Sequence, residues 1–309
     1  NYLHSSFLLH GTVTGRLSSS NPNLQNIPVF YKSNNEKVKD LFSRVKKFFI
    51  VPDDMVMMCC DFSQAELRCI ANFSQDPIMI DAYLSGKDLH SVTAASIAKV
   101  TLGEYENYVA SIKDPLRRAA KDANFGYVYG CSPETYQRTI FESYGKSLDI
   151  QTCQLHRDAL FKTYLGLDKW HKNSIKIGKK YGYVRTLFGR KRRLININGS
   201  NNKLVSADAR YAINSPIQGT SGEWTIFTIC ILMKIFPNSI VFFNNVHDAM
   251  YFYVPKLLVK TATKFIANIS EYPLIDTYFE IDKNKTKVPM KLDIEYTTTN
   301  WYNKNSKYE

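Results

Sequence analysis

Acidic residues are scarce in this 309-residue chain, which has 28 aspartates and glutamates against 40 lysines and arginines. The resulting net charge of +12 favours a polyanionic partner, with nucleic acid ahead of an anionic membrane surface. The cations are spread along the whole chain and are not gathered in one tail. This distribution predicts a basic groove on a folded domain and argues against a basic arm without structure.

Long apolar runs and paired cysteines are also lacking. No apolar run approaches the roughly 20 residues that a membrane span needs, so we expect no membrane partner. The six cysteines form no Cys-x-x-Cys pair and no Cys/His cluster with zinc spacing. We expect them to be reduced and packed as small apolar side chains, as is usual for an intracellular or organellar protein.

The stretch 114–130 predicts a helix with a basic and aromatic stripe. Asp114-Pro115 has the signature of a helix start, with an acid at the cap and proline in the first turn. The stripe recurs at intervals of four residues: Arg117, Lys121, Phe125 and Tyr129. Two cations suit a polyphosphate and a ring suits a base or a sugar, while Gly126 and Gly130 leave room beside the ring. A solvated basic face explains the spacing equally well.

Two aspartates stand at the ends of apolar runs. Residues 55–60 lack alternation and predict a central strand that is buried on both faces, and this run ends on Asp61. Residues 240–254 predict a hairpin, because a short polar turn separates two apolar runs, and Asp248 lies at its tip. A carboxylate in such a place is costly unless it reaches an open edge or meets a cation.

Three stretches together resemble the motifs of one enzyme family, the family A DNA polymerases. Residues 117–130, RRAAKDANFGYVYG, resemble motif B on the nucleotide-binding helix of that family. Residues 61–68, DFSQAELR, resemble motif A, with Phe62 in place of the usual Tyr. Residues 246–249, VHDA, resemble motif C, with Ala249 in place of the usual Glu. The motifs follow in the family's order, which makes the resemblance specific.

Three further stretches resemble segments of the family that touch DNA. Residues 14–28 are similar to a strip that lies against the minor groove of the primer–template duplex, and residues 183–193 to a basic turn that contacts template phosphates. Residues 210–220 resemble a helix that faces the active site and the duplex. The DNA contacts implied by these likenesses and by motif C are Arg16, Asn23, Gln25, Arg190, Arg210, Asn214, Gln218 and His247. An ordinary loop and a solvated charge run are the alternatives for the strip and the basic turn.

The resemblance implies nucleotidyl transfer with two Mg²⁺ ions, for which Mn²⁺ can substitute. The metal ligands that it implies are the carboxylates of Asp61 and Asp248 and the carbonyl of Phe62. It gives Arg117 and Lys121 the catalytic task of neutralising the triphosphate, with Lys121 also donating a proton to the leaving pyrophosphate. The implied nucleotide-binding residues are Phe125, Tyr129, Glu66, His90 and Gln64.

Two residues of the implied nucleotide site also have simpler explanations. In the family, the residues that match Glu66 and Tyr129 together exclude ribonucleotides. Glu66 equally fits the capping box of a helix that Ser63 caps. His90 equally fits a packed histidine of the core.

The resemblance also implies an α+β fold of the polymerase right-hand type, with an antiparallel palm sheet and a mostly helical fingers domain. We expect palm at residues 1–87, fingers at 88–190 and palm again at 191–309. The family's thumb, largely missing here, is expected before residue 1, and a 3′→5′ exonuclease domain before that. The expected partners are primer–template DNA and deoxynucleoside triphosphates.

Three functions remain as alternatives at this point. The first is a template-directed DNA polymerase, the second a single-subunit RNA polymerase, and the third a DNA-binding remnant without catalysis. Glu66 and Phe125 argue against the second, and retention of the four implied catalytic residues argues against the third, which only Ala249 suggests. The asparagine and lysine bias resembles malaria-parasite coding and suggests an apicoplast enzyme, although a bacterial cytoplasm fits the motifs equally well.

Overall fold

The computed structural model describes residues 3–27, 40, 44–145, 147–271, 286–305 and 308. These residues fall into two compact units. The sheet unit comprises residues 1–66, 218–281 and 289–309, and the helical unit comprises residues 67–217 and 282–288. Pro28, the last residue of the predicted DNA-binding strip, lies outside the described residues.

Helices and strands are largely segregated along the chain, as expected for an α+β protein. The strands are β1 (Ser6–Leu8), β2 (Ser18–Ser20), β3 (Met55–Phe62), β4 (Tyr183–Arg185), β5 (Lys191–Arg193), β6 (Val241–Val246), β7 (Ala249–Pro255) and β8 (Leu292–Thr297). The α-helices are α1 (Ala65–Ser74), α2 (Pro77–Leu84), α3 (Leu89–Ala98), α4 (Leu102–Glu106), α5 (Ala110–Val128), α6 (Pro133–Tyr144), α7 (Ile150–Thr163), α8 (Leu165–Tyr181), α9 (Asn202–Ile235) and α10 (Val259–Glu271).

An antiparallel sheet in the order β6-β7-β3-β8 forms the centre of the sheet unit. The predicted central strand is confirmed, because β3 pairs with a neighbour on each side and its residues from Val56 to Cys60 are buried. One face of β3 packs into an aromatic cluster in which Trp301 makes edge-on contacts with Phe49 and Tyr251. The predicted hairpin is confirmed as β6–β7.

Along the chain, the division between the two units falls at residues 66/67 and 217/218. The sequence predicted domain boundaries at 87/88 and 190/191. Contacts made by α1 and α2 explain the first difference. Asp76 caps α2 and accepts a hydrogen bond from the backbone N–H of Gly166 at 2.8 Å, and the Asn72 amide bonds both backbone groups of Val288. These bonds hold residues 67–87 within the helical unit. The assignment of palm and fingers to the units remains a prediction.

The start of α5 differs from the prediction. The helix begins at Ala110, and Pro115 lies inside it. The first turn forms without a side-chain cap, because the Val109 carbonyl accepts backbone bonds from Ile112 and Lys113. The prediction that the helix starts at Asp114-Pro115 is therefore wrong by about one turn.

Other helix predictions are confirmed in type. Ser132 caps α6 through the backbone N–H of Thr135, with proline in the first turn. The long helix predicted over residues 207–235 is α9, which starts five residues earlier and continues through Pro216. No α-helix among the described residues has the length and apolarity that a membrane crossing requires.

Candidate active site

The hairpin tip of the sheet unit presents Asp248. Val246 pairs with Ala249, so His247 and Asp248 form a two-residue turn, with His247 in the left-handed region at φ +55°. Asn245 holds this turn closed, since its buried side-chain amide donates to the carbonyls of His247 and Ala249, each at 3.0 Å. The unusual backbone at the tip is therefore fixed by a side chain two residues before it.

Asp61 lies beside this tip because of the strand register. It pairs with Ala249 on β7 and with Asp293 on β8, so these three side chains share one face of the sheet. Crowding by protein atoms and the neighbouring charge of Asp248 together raise the pKa of Asp61 to about 6, even though the carboxylate reaches solvent. The fold thus brings together two carboxylates that the sequence separates widely.

Arg16 links two of the predicted site residues. Its Nη2 donates to Glu66 Oε1 at 2.6 Å and to Asp248 Oδ1 at 3.1 Å. Burial alone would lower the pKa of Arg16, but the carboxylates of Asp248 and Glu66 raise it overall. Gly222 on α9 makes this approach possible, since a Cβ there would lie 2.9 Å from Arg16 Cγ.

The carboxylate pair fits a divalent cation. Ser221 Oγ also donates to Oδ1 of Asp248, so both described contacts of this carboxylate fall on one oxygen and leave Oδ2 available. Among the described residues, no group of three or more acidic, histidine or cysteine side chains forms a full metal cage. Mg²⁺ needs no such cage, because it takes one or two carboxylates and fills its shell with water and phosphate oxygens.

Asp61 leads to a prediction about stability and pH. Its pKa of about 6 in the folded state exceeds the value of about 3.9 in an unfolded chain, so the folded state holds the proton more tightly. The stability of the metal-free protein should therefore fall as pH rises through this window. We expect Asp61→Asn to gain stability relative to the parent between pH 5 and pH 7.5, measured by urea unfolding in EDTA.

The matched control is Asp54→Asn in the exposed turn before β3. It should shift stability by the same amount at both pH values. A difference between Asp61→Asn and the parent that does not change with pH would contradict the raised pKa of Asp61.

The remaining residues of the predicted DNA-binding strip make contacts within the sheet unit. Asn23 accepts a bond from the backbone N–H of Gln25 and caps a short 3₁₀ turn. The Gln25 amide donates to the Leu17 carbonyl at 3.1 Å and approaches Asn245 Oδ1 at 3.5 Å. Gln25 therefore connects the strip to the residue that closes the hairpin tip. Gln218, also predicted to touch DNA, is half-buried on α9.

The helical unit exposes the predicted stripe of α5. Ala120, Ala123, Asn124 and Tyr127 are buried, whereas Arg117, Lys121 and Phe125 face outward. Arg117 is paired, since its Nε donates to Asp88 Oδ2 at 2.7 Å. Burial tends to raise the pKa of Asp88, but hydrogen bonds from Arg117 and Ser91 lower it overall. Lys121 has no described ion pair among the residues that the structure covers.

His90 is buried behind the stripe. Its Nδ1 lies 3.0 Å from the Asn124 amide nitrogen, and its ring centroid lies 6.0 Å from that of Phe125. Burial lowers the pKa of His90 to about 4, so the ring is neutral at physiological pH. Asn124 in turn accepts a bond from Thr93, whose hydroxyl also meets that of Tyr164. This network anchors α5 to α3 and α7–α8.

A cavity of about 620 Å³ beside Phe125 brings together more of the predicted residues. Tyr129, Arg210 and Asn214 line it as well. Gly126 and Gly130 also line this cavity beside the ring, as expected, and the sulfur of Cys131 lies close to Gly126, since a Cβ there would lie 2.9 Å from it. Asn214 Oδ1 is buried without a hydrogen-bond partner in the described residues.

The basic turn forms the hairpin β4–β5, with Tyr183 opposite Arg193. Arg190 is exposed in the loop that joins the two strands. Arg185 Nη1 donates to the Gly189 carbonyl at 2.9 Å and braces this loop.

Sequence reasoning missed several residues that organise these sites. Asn245, Ser221 and Asp88 hold Asp248 and Arg117, yet none of them was predicted. Their side chains bond backbone groups, a carboxylate or a neighbouring cation, and such contacts follow no spacing rule along the chain.

Comparison with known proteins places these features in one class. The sequence matches DNA polymerase family A over residues 1–303. It is 35% identical to DNA polymerase I of Deinococcus radiodurans over 72% of this chain and 21% of that protein. It is 31% identical to the thermostable DNA polymerase I of Thermus aquaticus over 88% of this chain and 30% of that one. The chain belongs to DNA polymerase family A.

A solved structure agrees with this assignment. The POL domain of Pol1 from M. smegmatis, in complex with DNA primer-template and dNTP, superposes with a TM-score of 0.78 at 26% identity, over 97% of this chain and 48% of that chain. The chain spans about a third or less of the length of the bacterial relatives named above. These relatives give no support to the suggestion of an apicoplast enzyme.

Proposed function

We propose that this chain carries the catalytic part of a template-directed DNA polymerase, which adds deoxynucleotides to a primer 3′-hydroxyl. Membership of DNA polymerase family A supports this proposal, as does the similarity to a domain that was solved with primer-template and dNTP. The observation that carries it is the register of β3 and β7, which sets Asp61 beside the hairpin tip that holds Asp248.

In this proposal the two aspartates and the carbonyl of Phe62 bind two Mg²⁺ ions. Such ions activate the primer hydroxyl and stabilise the leaving pyrophosphate when they are bound. Oδ2 of Asp248 supplies the open ligand position, while Arg16 and Ser221 keep the carboxylate oriented through Oδ1. Residue 249, which pairs with Asp61 from the neighbouring strand β7, is an alanine and so supplies no third carboxylate.

The helical unit binds the nucleotide in this proposal and corresponds to the fingers, while the sheet unit corresponds to the palm. Arg117 and Lys121 neutralise the triphosphate, and Lys121 Nζ donates a proton to pyrophosphate. The Phe125 ring stacks against the sugar and base. Glu66 and Tyr129 exclude a 2′-hydroxyl, and the pairing of Glu66 with Arg16 holds that carboxylate in one position.

Primer extension tests this function directly. With a primed template, Mg²⁺ and deoxynucleotides, we expect elongation that requires the template base and stops when EDTA is added. Ribonucleotides should extend the primer far less well. Binding of primer–template without any extension would instead favour a non-catalytic remnant, and equal use of both nucleotide types would favour an RNA polymerase.

A further inference from the structure

A second cavity lies in the helical unit, and the basic hairpin forms part of its lining. It measures about 560 Å³ and is open to solvent. Four aromatic side chains from three elements line it: Phe73 from α1, Trp170 and Tyr181 from α8, and Tyr183 from β4. The centroids of Phe73 and Trp170 are 5.8 Å apart, and those of Tyr181 and Tyr183 are 6.3 Å apart. Aromatic walls of this kind favour a flat, unsaturated ligand.

Polar groups are placed among these rings. Asn173 and Ser174 from α8 and Thr186 from the hairpin line the same cavity, and Asn173 is exposed there, whereas the Thr186 hydroxyl already accepts a bond from the backbone N–H of Arg190. A purely apolar ligand would cover the Asn173 amide without offering it a hydrogen bond. A nucleobase would offer one, because it combines a flat face with a polar edge.

The surroundings of the cavity are strongly basic. Residues 169–207 contain eleven lysines and arginines and no aspartate or glutamate. Two of these cations lie over the Tyr183 ring: the Arg185 guanidinium is 5.2 Å and Lys191 Nζ 4.9 Å from its centroid. Lys180 Nζ lies 4.9 Å from the centroid of Tyr181. These cations favour a polyanionic ligand, and the aromatic walls of the cavity favour a flat group.

A free nucleotide and an unpaired nucleic-acid strand both present an accessible base together with phosphates, and eleven cations spread over residues 169–207 suit the longer phosphate chain of a strand. In a duplex, stacking and pairing hide the faces and edges of the bases, so only the phosphates would meet this surface. Grooves that combine cations with exposed rings are typical of proteins that bind single strands.

We propose that this cavity takes an unstacked base of single-stranded DNA, whose phosphates follow the cations of β4–β5 and the end of α8. The strand would be the unpaired part of the template, and in that respect the inference rests on the proposed function. Tyr181 is the platform that the strand reaches first, since its side chain is 54% exposed at the rim of the cavity.

Binding of a labelled oligodeoxythymidine of about 12 nucleotides, measured by fluorescence anisotropy without Mg²⁺ or nucleotides, tests this assignment. We expect Tyr181→Ala to weaken binding about five- to tenfold, as loss of one stacking platform does. Tyr181→Phe should bind like the parent because it keeps the ring. A blunt duplex of equal length should bind all three proteins alike.

Tyr302→Ala in the sheet unit is the matched control. Tyr302 is 49% exposed and its ring centroid lies 5.0 Å from Lys47 Nζ, so it reproduces the exposure and the cation contact of Tyr181 but lines neither of the two cavities described above. Its substitution should leave binding of the single strand unchanged. An equal effect of Tyr181→Ala and Tyr302→Ala, or an equal loss of duplex binding, would overturn the assignment.

Primer extension is measured separately, so that the two proposals can fail independently. If the chain extends primers while Tyr181→Ala binds the single strand normally, the cavity has another role and the polymerase function stands. If Tyr181→Ala loses affinity in a chain that never extends, the single-strand site stands and the polymerase function fails.

Discussion

Asp248→Ala is expected to reduce primer extension by about a thousandfold or more, because loss of a metal ligand removes several kcal/mol of transition-state stabilisation. The surroundings of Asp248 hold its carboxylate in one orientation. Asn245 closes the turn that carries it, and both Arg16 and Ser221 bond its Oδ1. A carboxylate that is already oriented loses little conformational entropy when it binds a metal ion. We therefore expect its removal to slow the chemical step.

Direct metal binding separates this explanation from misfolding. Mn²⁺ affinity, followed by electron paramagnetic resonance in the absence of DNA, should fall strongly in Asp248→Ala and also in Asp248→Asn. The Asn variant keeps the side-chain shape and can still meet Arg16 and Ser221, so the fold of the tip should survive. Circular dichroism and the unfolding midpoint check this for each variant.

Asp54→Asn serves again as the control, since it removes an exposed carboxylate of the same unit at the far end of β3. It should leave both extension and Mn²⁺ affinity unchanged. Near-parental extension by a correctly folded Asp248→Asn protein would exclude Asp248 as a metal ligand and would leave the family motif without its expected role here.

The strands of the site were predictable because burial on both faces leaves a direct trace in composition. Residues 55–60 are apolar without alternation, and they form the central strand β3. The two apolar runs around His247 and Asp248 likewise form the β6–β7 hairpin. In both places a local property of the chain decides the structure.

The partners of the site residues were not predictable, because tertiary contacts have no local signature. Arg16 was expected to touch DNA, yet its guanidinium pairs with Glu66 and Asp248, and only the fold brings them together. Gly126 lines the cavity beside Phe125, but the sequence did not show that the sulfur of Cys131 also packs close to it. Only the three-dimensional packing determines whether a small residue leaves a gap or receives a neighbour.

Pro115 shows the same limit for secondary structure. Proline usually marks a helix start, but here α5 continues through it from Ala110. The helix gains more from packing than the lost backbone bond costs, because Leu116 and Ala120 pack into a buried cluster with Tyr105. Tertiary packing thus moves the start of this helix about one turn ahead of the position that the sequence indicated.

Lys121→Ala is expected to lower kcat for nucleotide addition about 100- to 1,000-fold, the usual cost of removing one group that stabilises developing charge. Lys121 is exposed on α5 and has no described ion pair, so its ammonium group is available to a triphosphate. Arg117 differs in this respect because Asp88 already holds it. We therefore expect the larger effect at Lys121, measured by single-turnover incorporation.

Arg118→Ala provides the matched control, since it removes one exposed cation from the same helix, one turn before Lys121 and about 60° from it around the axis. If the stripe acts through a specific geometry, Arg118→Ala should leave kcat within a few-fold of the parent. Lys121→Arg restores the charge with a group that does not release its proton, so it should recover nucleotide affinity but only part of kcat. Equal losses in Lys121→Ala and Arg118→Ala would mean that α5 contributes only a general positive field, and the assignment of Lys121 to the leaving pyrophosphate would then fail.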